Sequence, residues 1–122
     1  MSPGPTPEAR TQILLRSGCM CERCGAPANN IHHRRARGRG GNKAAWINMP
    51  ANLVALCGHG NTSGCHGWVH SHPIEAEAYG WTLSTYADDD PSDVQLIRPD
   101  GRRFYIDNEG RRDDVGHGRK AS

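Results

Sequence analysis

Apolar residues along this chain fall in short runs, each closed by Gly, Pro or a polar cluster. Thr6 as an N-cap, Pro7 at the first helical position and Glu8 in the first turn precede Ile13 and Leu14, and Gly18 follows; the pattern predicts a short amphipathic helix from Pro7 to Ser17. Such a helix is marginal alone and must pack on later elements of the chain. Residues 19–27 read as a Cys-rich turn, 30–34 as a short strand, and the Gly-rich, basic stretch 35–45 as a loop. Residues 52–57 are apolar enough for a buried strand, although periodicity alone leaves a helical turn open. A loop over 58–64 leads to a short helix over 65–71 capped by Thr62 or Ser63, and Pro73 opens another that Gly80 ends. Residues 81–84 are expected as a strand and 87–93 as an acidic linker. Residues 94–98 and 103–107 flank Pro99-Asp100-Gly101, a hairpin signal, and the polar residues after Gly110 are expected to be disordered. There is no internal repeat.

Composition changes the picture in one respect. Only 35% of the 122 residues are apolar, there is a single Phe, and Gly and Pro number 15 and 8. Such a chain buries little apolar surface, so its core barely offsets the entropy of ordering and calls for a staple. Five Cys and seven His are the candidates. No apolar run approaches the ~18 residues of a membrane span, and the N-terminus lacks the basic flank and apolar run of a secretory leader. Without a leader, thiols are expected to be reduced and available to metal.

Charge is divided unevenly. Residues 1–43 carry a net +6 and residues 44–122 a net −4. That asymmetry suggests a polyanionic partner for the first part, or a solvated Arg-rich surface.

Cys21 and Cys24 form a C-x-x-C pair, and Cys57 and Cys65 bracket seven residues that are mostly Gly, Asn, Thr and Ser. Two thiolates on a tight turn occupy one side of a metal ion and a second pair completes a tetrahedron, so a four-cysteine structural zinc site is expected. The second spacing is longer than the usual two to four. Cys57 can alternatively be a small buried hydrophobe, Cys19 can stand in for Cys21, and His59 can replace a thiolate. The zinc would contribute on the order of 10 kcal/mol of apparent folding energy. Among the histidines, His66 and His70 lie at i and i+4 of a predicted helix and can address one ion. His32 and His33 are neighbours on a predicted strand and point to opposite faces, which gives them different tasks. His59, His72 and His117 read as loop, surface or tail residues.

Taken together, His32-His33, Asn52-Leu-Val-Ala-Leu-Cys57 and Cys65-His66-Gly-Trp-Val-His70 resemble the HNH endonucleases with a ββα-metal fold, in particular small phage-type members that carry two cysteine pairs. The resemblance runs from about residue 16 to residue 81. It implies that His33 is the general base, that Asn52 is the central Asn that orients the base or pins the hairpin, and that His66 ligates the catalytic metal. His32 stands where many members carry Asp and, with His70, matches the His-His variant of the family, in which both are ligands. A three-imidazole site favours softer ions such as Zn²⁺ or Ni²⁺, whereas Mg²⁺ prefers oxygen donors, and the catalytic divalent ion is expected to be Mg²⁺, Mn²⁺, Ni²⁺ or Zn²⁺. Arg34, Arg35, Arg37 and Arg39 lie beside the base and are expected to hold phosphate. Trp46, Trp68 and Trp81 are expected to pack rather than stack on bases.

The expected fold class is therefore α+β: a small zinc-stabilised ββα-metal (HNH) domain with an N-terminal helix and a C-terminal β-hairpin. Its expected divisions are a disordered tail over 1–6, the nuclease domain with its zinc knuckle over 7–86, an accessory hairpin over 87–110 and a disordered tail over 111–122. The expected activity is metal-dependent hydrolysis of DNA phosphodiester bonds to 3′-hydroxyl and 5′-phosphate ends. The DNA would be double-stranded and bound with weak sequence preference. The expected setting is the cytoplasm, a bacterial host's if the chain is phage-encoded, with phage packaging or recombination proteins as further partners and no membrane. The rival reading is a non-catalytic zinc module that binds DNA or protein; it leaves His32, His33, His66 and His70 without a joint task.

Overall fold

The computed structural model describes residues 6–36, 45–60, 62–84 and 89–115. Helix α1 spans Pro7–Ser17, as its caps dictate: the Thr6 hydroxyl oxygen accepts from the Ala9 N–H at 3.1 Å, and Gly18 takes the left-handed conformation that ends the helix. Its Ala9 and Ile13 pack on Leu53 and Ala55. Those two residues lie on β2 (Leu53–Leu56), which pairs antiparallel with β1 (Asn30–His33) in a register that sets His32 opposite Val54 and His33 opposite Leu53. All four β2 residues are buried, which explains a continuous apolar run in place of alternation. Helix α2 spans Gly64–Ser71 and α3 spans Pro73–Ala78. Ser63 sits at the α2 N-cap, but its side chain makes no capping bond there and instead accepts from the His59 N–H.

The turn between α1 and β1 is tied down by a buried ion pair. Arg16 meets Glu22 through two bonds of 2.7 and 2.8 Å, and the guanidinium also donates to the carbonyls of Pro50 and Leu53. Glu22 in turn accepts from the Ala55 N–H at 2.8 Å. The acid between two cysteines thus locks the cysteine turn onto β2.

The second sheet contains β3 (Leu96–Ile97), β4 (Arg103–Ile106) and β5 (Arg112–Val115) in that order, all antiparallel. Two expectations are corrected here. Residues 81–84 are not a strand; they contribute a single bridge, Arg35 with Leu83, because the backbone N–H groups of Trp81 and Thr82 both turn back to the Ala76 carbonyl. The tail expected to be disordered from 111 begins with β5, whose Arg-Asp-Asp-Val sequence carries no apolar alternation. As an edge strand it needs little, and Arg112 lays its guanidinium 3.9 Å from the centre of the Phe104 ring. The hairpin expected as accessory joins the main core: Leu96, Phe104 and Ile106 share one cluster with Val54, Leu56, Val69, Ala76 and Trp81. The result is a small mixed fold of helices and two antiparallel sheets. No helix among the described residues is long and apolar enough to cross a membrane.

Candidate functional site

Four cysteines converge where the knuckle, the end of β2 and the start of α2 meet. The sulfurs of Cys21, Cys24, Cys57 and Cys65 all lie within 4.8 Å of one another, and the Cys24 and Cys57 sulfurs are 3.6 Å apart. A tetrahedral zinc with Zn–S bonds of about 2.3 Å requires edges of about 3.8 Å, so the donor set and its spacing fit that ion. The backbone supports the sulfurs: the Cys24 N–H points at the Cys21 sulfur and the Cys65 N–H at the Cys57 sulfur. Arg23 donates to the Cys65 sulfur at 3.2 Å while lying 3.7 Å from the centre of the Trp68 ring, whose other partner is the stacked imidazole of His72. Trp68 is thus a packing element of the knuckle. The Cys65 thiol, donating to Cys21, pulls the Cys21 pKa well below the usual thiol range, and the same bond pushes Cys65 up. A divalent ion held by Cys21, Cys24, Cys57 and Cys65 would take all four as thiolates and so remove that asymmetry. Cys19, exposed and in the left-handed region just past the helix cap, is outside the group, as is exposed His59.

The long interval between Cys57 and Cys65 has a physical reason. Gly58 and Gly64 are back to back at positive φ (113° and 63°), and a Cβ on Gly64 would fall 2.6 Å from the Gly58 Cα. Only two glycines let the loop close so tightly. Asn30 and Asn29 hold it from outside, the first donating its amide to the Gly58 carbonyl and the second accepting from the Gly58 N–H at 3.1 Å.

Three histidines form a second group beside the first. His32 reaches in from β1, and His66 and His70 from one face of α2, with one ligand nitrogen from each lying within 4.8 Å of the others. The ring centroids are 4.8 Å apart for His66 and His70, 5.4 Å for His32 and His66, and 5.8 Å for His32 and His70. Backbone carbonyls assign the tautomers, because a carbonyl only accepts. The Nε2–H of His32 donates to the Trp81 carbonyl at 3.1 Å, which leaves Nδ1 as its electron-pair donor. The Nδ1–H of His66 donates to the Gly60 carbonyl at 2.6 Å, which leaves Nε2, and the Nε2 of His70 stands 3.3 Å from it. An imidazole held by a carbonyl on its far nitrogen is the usual outer support of a metal ligand. Burial, reinforced by the neighbouring His66, lowers the His32 pKa to about 3, and burial also lowers that of His66. Both rings are therefore held in the neutral form that binds cations.

His33, the neighbour of His32 on β1, is half-buried and places its Nε2 2.8 Å from the Oδ1 of Asn48. The hydrogen bonds of Asn52 go elsewhere. Fully buried, Asn52 accepts from the Arg35 N–H at 2.8 Å and donates to the carbonyls of Ile47 and Arg35, pinning the backbone on either side of the β1–β2 connection. All three of these bonds run to backbone groups.

Arg34 and Arg35 require correction as phosphate contacts. Arg34 is 1% exposed and donates to four carbonyls, those of Gly80, Ala51, Pro91 and Val94, at 2.7–2.9 Å. Arg35, also buried, donates to the carbonyls of Ser84 and Asp89. Burial lowers the Arg34 pKa to about 9, which still leaves it charged at neutral pH. Both side chains turn inward because the connections around 80–94 present carbonyls without strand partners, and a guanidinium can satisfy several at once. With Arg16 paired to Glu22, three of the cations behind the net +6 of residues 1–43 serve the interior. Arg37, Arg39 and Trp46 lie outside the residues whose side chains are described. Sequence reasoning missed Arg16, Glu22, Arg34 as a clamp, and Asn48. Only Glu22, an acid wedged inside a C-x-x-C turn, carried any local signal.

No protein-family model, curated protein or solved structure matches the chain.

Proposed function

We propose that the protein is a metal-dependent DNA endonuclease of the HNH type, with β1, β2 and α2 as its ββα-metal unit. The observation that carries this reading is the convergence of His32, His66 and His70, with one ligand nitrogen from each within 4.8 Å of the others, and a fourth imidazole one residue along the same strand as the first. Packing alone does not gather three imidazoles, one buried, one half-buried and one exposed, since each brings polar atoms that need partners, and a solely structural zinc module has no use for them beside a complete cysteine set. Arg34 as an interior clamp leaves the proposed phosphate contacts to Arg37 and Arg39, beyond the described residues.

In this reading His32, His66 and His70 hold a divalent ion. When bound, the ion supplies Lewis-acid relief of charge on the phosphate and the leaving 3′ oxygen. The Nδ1 of His33 accepts a proton from the attacking water, a task suited to an imidazole near neutral pH. The Trp81 and Gly60 carbonyls keep the ligand rings oriented. Cys21, Cys24, Cys57 and Cys65 would hold a zinc that ties α2, and with it His66 and His70, to the knuckle and the end of β2.

The test is nicking of supercoiled plasmid by EDTA-dialysed protein supplied with Mg²⁺, Mn²⁺, Ni²⁺ or Zn²⁺. Wild type should nick with at least one ion, and His33→Ala should lose on the order of 10²-fold or more, the usual worth of a general base. Equal nicking by the two proteins in every metal refutes the assignment.

A further inference from the structure

The family resemblance offers Asn52 to the base histidine, but in the structure it is a different asparagine, Asn48, that meets the ring. Asn52 is committed to backbone: it holds the N–H and carbonyl of Arg35, two residues beyond His33, and the carbonyl of Ile47, one residue before Asn48. The two segments it clamps are the ones that carry His33 and Asn48. Ala45–Asn48 forms a short 3-10 turn, and at its end the Asn48 side chain meets the imidazole. An amide oxygen accepts and does not donate, so the 2.8 Å contact of Nε2 with Oδ1 requires the proton on Nε2.

We propose that the orienting task is divided: Asn52 fixes the backbone, and Asn48 is the positioning residue that holds His33 as the Nε2–H tautomer with Nδ1 free to accept a proton. Its consequence for catalysis rests on the nuclease reading, whereas the tautomer itself does not. Side-chain control of the tautomer matters because the wrong tautomer presents an N–H to water and cannot take its proton. It also leaves the ring free to turn about χ2, where a misplaced base is costly.

The experiment is long-range ¹H–¹⁵N correlation NMR on the zinc-loaded full chain labelled at histidine, at a pH above the ordinary imidazole pKa of about 6.5. In wild type, His33 should show a protonated Nε2 and a bare Nδ1, with a directly visible Nε2–H resonance because its hydrogen bond slows exchange with water. Asn48→Ala should lose that resonance, and Asn48→Asp, which keeps an acceptor oxygen, should retain it. The indole N–H of Trp81, bonded to the Ile97 carbonyl at 2.8 Å, reports that each variant remains folded. In the plasmid assay Asn48→Ala should lower kcat by about tenfold or more with KM nearly unchanged, and Asn48→Asp should restore most of it. A wild-type His33 protonated on Nδ1, or a resonance that persists unchanged in Asn48→Ala, overturns the proposal. Absence of nicking in wild type with the NMR result as expected refutes the nuclease reading and leaves the Asn48 contact established.

Discussion

Arg34 separates an interior clamp from a phosphate contact. Its guanidinium is the sole bridge described between the carbonyls of Ala51, Gly80, Pro91 and Val94, which belong to the β2 entry, the end of the α3 region and the approach to the hairpin. Hydrogen bonds from a charged donor are worth ~1.5–3 kcal/mol each, and the guanidinium repays several kcal/mol of desolvation against them. For Arg34→Ala the net loss is about 4 kcal/mol, since the carbonyls stay behind without their donor. A domain of this size is stable by ~5–15 kcal/mol, so the change removes a large share. In urea, with a slope of ~2 kcal/mol per molar, the midpoint should fall by about 2 M. Arg34→Lys should be nearly as damaging, because one ammonium on a flexible stem cannot span four carbonyls. A phosphate-holding Arg34 predicts the opposite: unchanged urea midpoints, and weaker, less salt-sensitive DNA binding. A midpoint shift below about 0.5 M for Arg34→Ala would refute the clamp.

Three further outcomes are expected. Purified protein should retain about one tightly held zinc after mild chelation, measurable by atomic emission, and Cys21→Ser should lose both the metal and the folded circular dichroism signal, as for other small metal-dependent folds; a folded Cys21/Cys24 double Ser variant would remove the staple. Glu22→Gln should cost about 3 kcal/mol in chemical denaturation, because it leaves the buried Arg16 without its counter-charge. With the cysteine site loaded and the histidine site free of metal, burial holds the His32 pKa at about 3, below its ordinary value of 6.5. Between those limits the unfolded chain binds the extra proton, so stability should decline as pH is lowered through that window. His32→Gln should flatten the decline, and an unchanged slope would show that His32 is not buried as described.

The sequence by itself determined the pieces whose causes are local. Thr6, Pro7 and Gly18 set α1 to the residue because capping and backbone conformation act over a few positions. The unbroken apolar run at Leu53 to Leu56 marked a buried segment, with pairing to β1 deciding strand over helical turn, and Pro99-Asp100-Gly101 marked the hairpin. The two cysteine pairs and the i, i+4 histidines were legible because metal ligation demands particular residue types at short spacings. Tertiary structure alone decided which way the arginines face, since a guanidinium beside a glycine-rich loop looks the same in sequence whether it meets phosphate or four stray carbonyls. It alone made the polar run at Arg112 a strand, through a neighbour in the sheet, and joined the hairpin to the core through Phe104 and Trp81. It also separated Asn48 from Asn52: both are small amides near β2, and only the path of the backbone between residues 45 and 52 puts one against an imidazole and the other against peptide groups.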